Sequence, residues 1–209
     1  MLYRSLIALI AFLALVPAAL AAEWEEGTHY KTLSNPVETR SGDQLELAEV
    51  FWYGCPHCYR MQPSIEDWKK DKPEDVNLRH VPASLRSDWE PHAKAFYAAR
   101  ELGVVEAIHS ELFEALAGEH QDLSDVDAIA SFFEEQGVAK ADAVREAWNS
   151  FAVDTAMRRG RQFQKGARVT GTPTLVVEGK YVISASAAGS YENMLAIADY
   201  LLSKERTDG

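Results

Sequence analysis

Cys55 and Cys58 are the only cysteines in this chain of 209 residues, and they are separated by Pro56 and His57. An apolar run ends just before Cys55, and the residues after it have a helical pattern, which places Cys55 at a helix N-terminus. Pro56 suits the first helical position, because its φ is preset and it has no N–H group to leave unpaired. The helix dipole and a charge on His57 would both favour a thiolate there. The motif therefore predicts a lowered pKa for Cys55.

The spacing of the pair favours redox chemistry over other uses of paired cysteines. A structural disulfide that closes so small a loop contributes only about 2 kcal/mol on the chain-entropy estimate. Zinc needs four ligands, and the chain has no second cysteine pair. Attachment of a c-type haem requires a histidine directly after the second cysteine, where this chain has Tyr59. Five further histidines lack ligand spacing and are interpreted as surface or core residues: His29, His80, His92, His109 and His120.

The first 22 residues have the composition of a secretory signal peptide. Arg4 supplies a positive charge, residues 6–16 are apolar, and Ala19-Leu20-Ala21 is a small-x-small cleavage site. The apolar stretch is about half of the ~20 residues that a membrane span needs. The sequence therefore predicts a signal peptide over residues 1–22, with cleavage after Ala21 the best fit, and an exported, soluble mature protein.

The mature chain is strongly acidic. Loss of Arg4 leaves 20 basic residues against 32 acidic residues, so the formal net charge changes from −11 to −12. Such a surface repels phosphate backbones, and nucleic acid is therefore not expected as a partner. The remaining length of about 187 residues suits one domain, or one domain with a sizeable insertion.

The apolar periodicity predicts an α/β fold that is interrupted by a helical segment. The first long strand has apolar residues on both faces, as is typical of a central strand, and the last two strands form a hairpin. Extended segments are expected over residues 36–38, 45–53, 76–81, 174–177 and 181–183. Helices are expected over residues 56–70 and 191–204, and five amphipathic helices fill residues 87–165.

With these motifs the chain resembles the thioredoxin superfamily, and within it the DsbA-like thiol:disulfide oxidoreductases of the bacterial periplasm. The matching features are Cys55-Pro56-His57-Cys58 after a strand, Gly171-Thr172-Pro173 before a strand, and the helical insertion between the two halves. The Pro-His dipeptide is typical of DsbA-like proteins, where thioredoxins carry Gly-Pro. The resemblance implies an α/β thioredoxin fold with an inserted all-helical domain. The expected division assigns residues 23–84 and 160–209 to the thioredoxin-like domain and residues 85–159 to the insert.

The resemblance also implies the roles of the site residues. Cys55 is the nucleophile that forms mixed disulfides, Cys58 is the more buried resolving thiol, and His57 stabilises the Cys55 thiolate. Pro173 has a cis peptide bond and lies beside the cysteines, with the backbone of Thr172 available to an extended substrate. No cofactor is expected, because the disulfide between the two cysteines is itself the redox group.

Glu49 lies in the apolar strand, six residues before Cys55. DsbA-like proteins often have a buried carboxylate here, which relays a proton for the resolving thiol and pairs with a lysine on the next strand. This chain has Leu78 at the matching position and no lysine in that strand. Either Arg79 replaces the lysine, or Glu49 lacks a cationic partner and has a raised pKa. The alternative interpretation of Glu49 is a charge at the strand edge that reaches solvent.

Four aromatic residues surround the cysteine motif. Phe51 and Trp52 continue the apolar strand and are interpreted as core of the sheet. Tyr53 and Tyr59 flank the motif directly, so they are candidates for contact with a bound peptide.

Together these features predict a periplasmic oxidase that donates its Cys55–Cys58 disulfide to unfolded exported polypeptides. The resemblance implies that a membrane partner of the DsbB type reoxidises it. Isomerases usually dimerise through an added domain, which this chain lacks, so a monomer is expected. Two alternatives stay open: a disulfide reductase or isomerase, and a redox-inert peptide-binding chaperone of the same fold.

Overall fold

The computed structural model describes residues 24–208. The predicted signal peptide, residues 1–22, lies outside the described residues. Within the described part of the chain, no helix is both long enough and apolar enough to cross a membrane.

A five-stranded sheet forms the centre of the fold. Its strands are β1 (Lys31–Thr32), β2 (Leu45–Phe51), β3 (Val76–Pro82), β4 (Thr174–Val177) and β5 (Tyr181–Ser184). The strand order is β1-β5-β4-β2-β3, with β2 parallel to β3 and antiparallel to β4. All but the first residue of β2 are buried, so the prediction of a central strand is confirmed. The extended segment expected over residues 36–38 is not a strand, and the short β1 pairs with β5 instead.

Within residues 24–208, eight α-helices surround the sheet or form the helical insert. They are α1 (Pro56–Asp71), α2 (Glu90–Glu101), α3 (Val105–Phe113), α4 (Val126–Glu135), α5 (Ala141–Trp148), α6 (Phe151–Gly166), α7 (Ala185–Ala188) and α8 (Tyr191–Asp208). A 3₁₀ turn over Ser87–Trp89 precedes α2, and α3 continues as a π-helical turn over Glu114–Gly118. The four-residue helix α7 has no counterpart among the sequence expectations.

The two faces of the sheet are covered by different helices. Leu47 of β2 packs with α1 and α8 in one buried cluster. Ala48 and Val50 pack with Phe163 of α6 in another cluster. Successive side chains of a strand point to opposite faces, so β2 is buried on both sides and its end is fixed in position.

The helical insert shares a core with the cysteine-bearing end of β2. Phe51 and Tyr53 pack in one cluster with Phe96 and Phe133 from the insert. The division expected between residues 159 and 160 falls inside α6, which is continuous there. The first half of α6 packs within the insert, whereas Phe163 packs on the sheet. The domain division stays a prediction, and α6 is an element that both units share.

Candidate active site

The cysteine pair lies at the start of α1, where the sequence places it. Cys55 is the N-cap residue, with φ −88° and ψ 115°, and Pro56 is the first residue of the helix. The backbone N–H of Cys58 donates to Sγ of Cys55 at 3.4 Å, so the thiol itself caps the helix. Cys58 is fully buried, whereas Cys55 is 6% exposed. Cys55 is therefore the sulfur that an incoming thiol can reach.

The turn that precedes Cys55 is fixed by an aromatic contact to the helical insert. A Cβ atom on Gly54 would lie 2.4 Å from the indole of Trp52, so only glycine fits this close approach. The Trp52 ring stacks on Trp89 with centroids 4.3 Å apart, and its Nε1 donates to Nδ1 of His92 at 2.8 Å. The insert thus holds the turn from which the cysteine helix begins.

The two thiols have pKa values shifted in opposite directions. The pKa of Cys55 is lowered from 9.0 to about 5, and the largest cause is the hydrogen bond from the Cys58 thiol. Burial opposes this shift, while hydrogen bonds from the Thr172 side chain and from the backbone N–H groups of Cys58 and His57 support it. Burial raises the pKa of Cys58 well above its ordinary value, and its hydrogen bond to Cys55 adds to the shift. At neutral pH the pair is therefore one thiolate and one thiol.

The His57 ring is directed towards neighbours other than the Cys55 sulfur. Its Nδ1 lies 3.0 Å from the guanidinium of Arg60 and 3.2 Å from the hydroxyl of Tyr191. Arginine can only donate, so Nδ1 accepts from it. The Cys58 hydrogen bond is the largest cause of the low pKa of Cys55, and His57 contributes to it through its backbone N–H. A role for the His57 side chain in stabilising the thiolate stays a prediction, and the sequence reasoning did not identify its two partners.

The Gly171-Thr172-Pro173 segment lies against the cysteine pair. The Thr172–Pro173 peptide bond is cis, as the resemblance implies, and the carbonyl oxygen of Thr172 is 3.5 Å from Sγ of Cys55. A cavity of about 590 Å³ opens beside them. Its walls include His57, Thr172, Pro173 and Tyr191, so the two motifs of the sequence line one surface.

Glu49 is fully buried, and its partner is a histidine. The parallel register places Glu49 beside His80 on β3, and Nδ1 of His80 lies 2.8 Å from Oε2 of Glu49. Nε2 of Gln62, one helical turn after Cys58 in α1, lies 3.4 Å from Oε1 of Glu49. The carboxylate is thus held between β3 and the cysteine helix.

Arg79 does not replace the lysine, because it points to the opposite face of β3 and its guanidinium lies 3.1 Å from Glu46. Glu49 does not reach solvent at a strand edge either, because it is fully buried. Its neighbour is the His80 ring, which is a cation only when it is protonated, so the expectation that Glu49 lacks a cationic partner stays a prediction. His80, which was interpreted as a surface or core residue, contacts it directly.

His109, which is buried, extends this polar cluster. The hydroxyl of Tyr53 is 2.8 Å from Nδ1 of His109, and the rings of His109 and His80 are 4.9 Å apart. Burial lowers the pKa of His109 well below its usual range, and Nε2 of His109 is buried with no hydrogen-bond partner among residues 24–208. Tyr53 is 1% exposed, so the expectation that it contacts a bound peptide is wrong. Tyr59 is partly exposed and bonds to Glu114.

The fold and the site together define the class of protein. A central strand leads into a helix that begins at a Cys-x-x-Cys pair, and a cis-proline loop lies against the first cysteine. Within the described residues, no three His, Cys, Asp or Glu side chains are grouped so as to hold a metal ion. This arrangement is that of a thioredoxin-fold thiol–disulfide protein.

A family model described as the DSBA-like thioredoxin domain matches residues 46–196. The thiol:disulfide interchange protein DsbA of Pseudomonas aeruginosa is 38% identical over 189 residues, which cover 90% of this chain and 89% of that protein. The DsbA of Azotobacter vinelandii is 36% identical over 186 residues, which cover 89% and 86% of the two chains. The chain belongs to the DSBA-like thioredoxin domain family.

Solved structures give the same result for the fold. The crystal structure of Pseudomonas aeruginosa DsbA superposes with a TM-score of 0.84 at 36% identity and covers 88% of this chain and 96% of that chain. The oxidoreductase DsbA from Xylella fastidiosa gives a TM-score of 0.79 at 30% identity, with 86% and 96% coverage. The predicted thioredoxin fold with a helical insert is confirmed, and so is the prediction of a protein disulfide oxidoreductase.

Replacing Cys58 with alanine is expected to raise the pKa of Cys55, because the hydrogen bond from Cys58 is the largest cause of its low value. The pH dependence of Cys55 alkylation by iodoacetamide measures this pKa. The midpoint is expected near pH 5 in the reduced natural protein and closer to the ordinary value of 9.0 in Cys58→Ala. Cys58→Ser is the matched control, since its hydroxyl can donate to the same sulfur and should give a smaller shift. An unchanged midpoint in Cys58→Ala would contradict the assignment.

Proposed function

We propose that the protein oxidises exported polypeptides in the periplasm by donating its Cys55–Cys58 disulfide. The observation that carries this proposal is the contrast within the pair, a pKa of about 5 for Cys55 and a raised pKa for Cys58. At neutral pH the low pKa of Cys55 stabilises the reduced form of the pair relative to the disulfide. A pair whose reduced form is stabilised has a more oxidising disulfide. The direction of transfer is therefore from this protein to its substrate.

The transfer takes two thiol–disulfide exchange steps. A substrate thiolate attacks Sγ of Cys55, the Cys55–Cys58 bond breaks, and its electron pair goes to the Cys58 sulfur, which takes up a proton. A second substrate thiolate then attacks the substrate sulfur of the mixed disulfide, and Cys55 leaves as a thiolate. The substrate loses two electrons and the protein pair gains them. The low pKa of Cys55 makes it a good leaving group in the second step.

The surface beside the cysteines supports an extended polypeptide as substrate. Thr172 is partly exposed next to the buried Pro173, and its backbone lies within reach of the same sulfur that a substrate thiol attacks. The cavity of about 590 Å³ continues this surface with serine, threonine and glycine residues. Such a lining does not select strongly among the side chains of a bound polypeptide. It suits a protein that accepts many sequences through their backbone.

Glu49 and His80 are the groups that we assign to proton exchange with Cys58. The departing Cys58 sulfur needs a proton, because burial makes its thiolate unfavourable. Glu49 is buried beneath α1 and is bonded to Gln62, one turn after Cys58. His80 joins Glu49 to a cavity at the protein surface, so protons can be renewed from solvent.

Membership of the DSBA-like family supports the remaining parts of this proposal. They are a periplasmic location, which agrees with the signal peptide predicted over residues 1–22, and reoxidation by a membrane partner of the DsbB type. The proposed function does not require a second chain, because one chain supplies both cysteines and the cis-proline loop.

Replacing Cys55 with serine is expected to abolish oxidation of a reduced peptide dithiol, because no other sulfur can form the mixed disulfide. Cys58→Ser is tested after its Cys55 has been converted to a mixed disulfide with 2-nitro-5-thiobenzoate. The thiolate of a peptide with one cysteine is expected to attack Sγ of Cys55 and release thionitrobenzoate. The resulting protein–peptide mixed disulfide accumulates, because Cys58 is not there to resolve it, and it is detected by mass spectrometry. The reference is the oxidised full mature chain, which should oxidise one equivalent of the peptide dithiol and become reduced itself. A protein that instead reduces insulin faster than it oxidises the peptide would be a reductase. A protein that binds the peptide without exchange would be a redox-inert chaperone.

Replacing Glu49 with glutamine is expected to slow the reaction of the oxidised protein with a peptide dithiol by at least about tenfold, because glutamine cannot pass on a proton. Stopped-flow fluorescence between pH 5 and 8 follows this step. Glu46→Gln is the matched control, since Glu46 is equally buried in β2 but faces Arg79 on the other side of the sheet. Equal rates in the two variants would contradict a role for Glu49 in proton exchange.

A further inference from the structure

Four arginines line a cavity at the edge of the sheet, away from the cysteine pair. The cavity has a volume of about 240 Å³ and lies between β3, α2, α6 and the loop before β2. A neighbouring cavity of about 230 Å³ shares three of the four. Because β3 is an edge strand, side chains from both of its faces reach the larger cavity. We call the larger cavity the arginine cavity, after the four arginines that line it: Arg40, Arg79, Arg100 and Arg159.

The positive charge of this cavity is only partly compensated by the protein. No aspartate or glutamate belongs to the described lining of the larger cavity, although the chain has a net charge of −11. Arg79 pairs with Glu46 at 3.1 Å, and Arg40 pairs at 3.5 Å with Glu38, which is 84% exposed. Arg100 and Arg159 form no ion pair with any residue between 24 and 208. The arginine cavity therefore contains positive charge without an ion-pair partner, although the protein as a whole is acidic.

The arginines are close enough to affect one another. The pKa of Arg100 is lowered, first by burial, and the charges of Arg79 and Arg40 lower it further, against the opposing effect of Tyr97. Stacking accounts for the orientation of two of the groups, since Arg79 lies 4.6 Å from the Phe163 ring centroid and Arg100 lies 4.7 Å from that of Tyr97. Stacking does not neutralise their charge. An anion in the cavity would.

We propose that the arginine cavity binds a small phosphomonoester anion. Planar guanidinium groups match the oxygens of a phosphate and bind it through paired hydrogen bonds. The volume corresponds to roughly eight waters at ~30 Å³ each, enough for a phosphate with a small substituent. Phe151, which is 81% exposed, and Tyr97 supply an aromatic wall, so an organic phosphate fits better than free phosphate.

The cavity also adjoins the buried polar cluster. His80 lines it and contacts Glu49 at 2.8 Å. A bound anion would therefore lie next to the Glu49–His80 pair, although the binding proposal does not depend on any role of that pair in redox chemistry.

Calorimetric titration of the oxidised full mature chain with phenyl phosphate at low ionic strength tests the proposal. Saturable binding of one anion per chain is expected, with inorganic phosphate binding more weakly. Arg100→Gln and Arg159→Gln are each expected to weaken binding at least about tenfold, because each removes a charged donor. Arg161→Gln is the matched control, since it removes the same charge from the same helix, lines neither cavity, and breaks only a surface ion pair with Glu90 at 3.4 Å. Its affinity should stay within about twofold of the natural protein.

The possible results distinguish a specific anion-binding site from non-specific electrostatic attraction of anions to the protein. Equal loss of affinity in Arg161→Gln and Arg159→Gln would overturn the proposal, and so would the absence of saturable binding for both phosphates. Inorganic phosphate binding as tightly as phenyl phosphate would overturn the role of the aromatic wall. Thermal unfolding of each variant without ligand confirms that it is folded, and the backbone amide shift of Thr155, which lines the cavity, reports binding at this location.

Discussion

The hydrogen bond from the Cys58 thiol to the Cys55 sulfur is the interaction on which the chemistry of the site depends. It is the largest cause of the low pKa of Cys55, and it exists because Cys55 caps the helix that carries Cys58. The central strand, the glycine turn beneath Trp52 and the cis-proline loop all serve to hold these two sulfurs in place. The helical insert takes part through the stacked tryptophans. The chemistry thus depends on geometry to which the sheet and the helices of the insert both contribute.

The two cysteines differ in burial, and each therefore has a different protonation state. The accessible sulfur is stabilised as a thiolate by donors around it, whereas the sulfur without solvent access is held as a thiol. The same burial creates the need for a proton at Cys58 whenever the disulfide opens. We propose that Glu49 and His80 supply this proton, since Glu49 contacts His80 and His80 lines a cavity beside β3.

Local sequence pattern was enough to predict β2 and the start of α1 at Pro56, because each depends on short-range backbone preferences. The cis bond at Pro173 was expected from the family resemblance instead. The partner of Glu49 was missed, since it depends on the register between two strands. Parallel pairing sets Glu49 beside His80, and alternation then turns Arg79 to the other face. Other features depend on tertiary packing and cannot be predicted from a local sequence pattern. Among them are the burial of Tyr53 and the shared helix α6.

Urea unfolding of the reduced and oxidised forms, compared as a function of pH, tests the central claim most directly. The folded pKa of Cys55 is lowered to about 5, so its contribution to the stability of the reduced form is present at high pH and is lost as the pH falls through about 5. The reduced form is therefore predicted to be the more stable one at pH 7, by a margin that shrinks towards pH 5. An oxidised form that is equally or more stable at pH 7, or a difference independent of pH, would contradict the account.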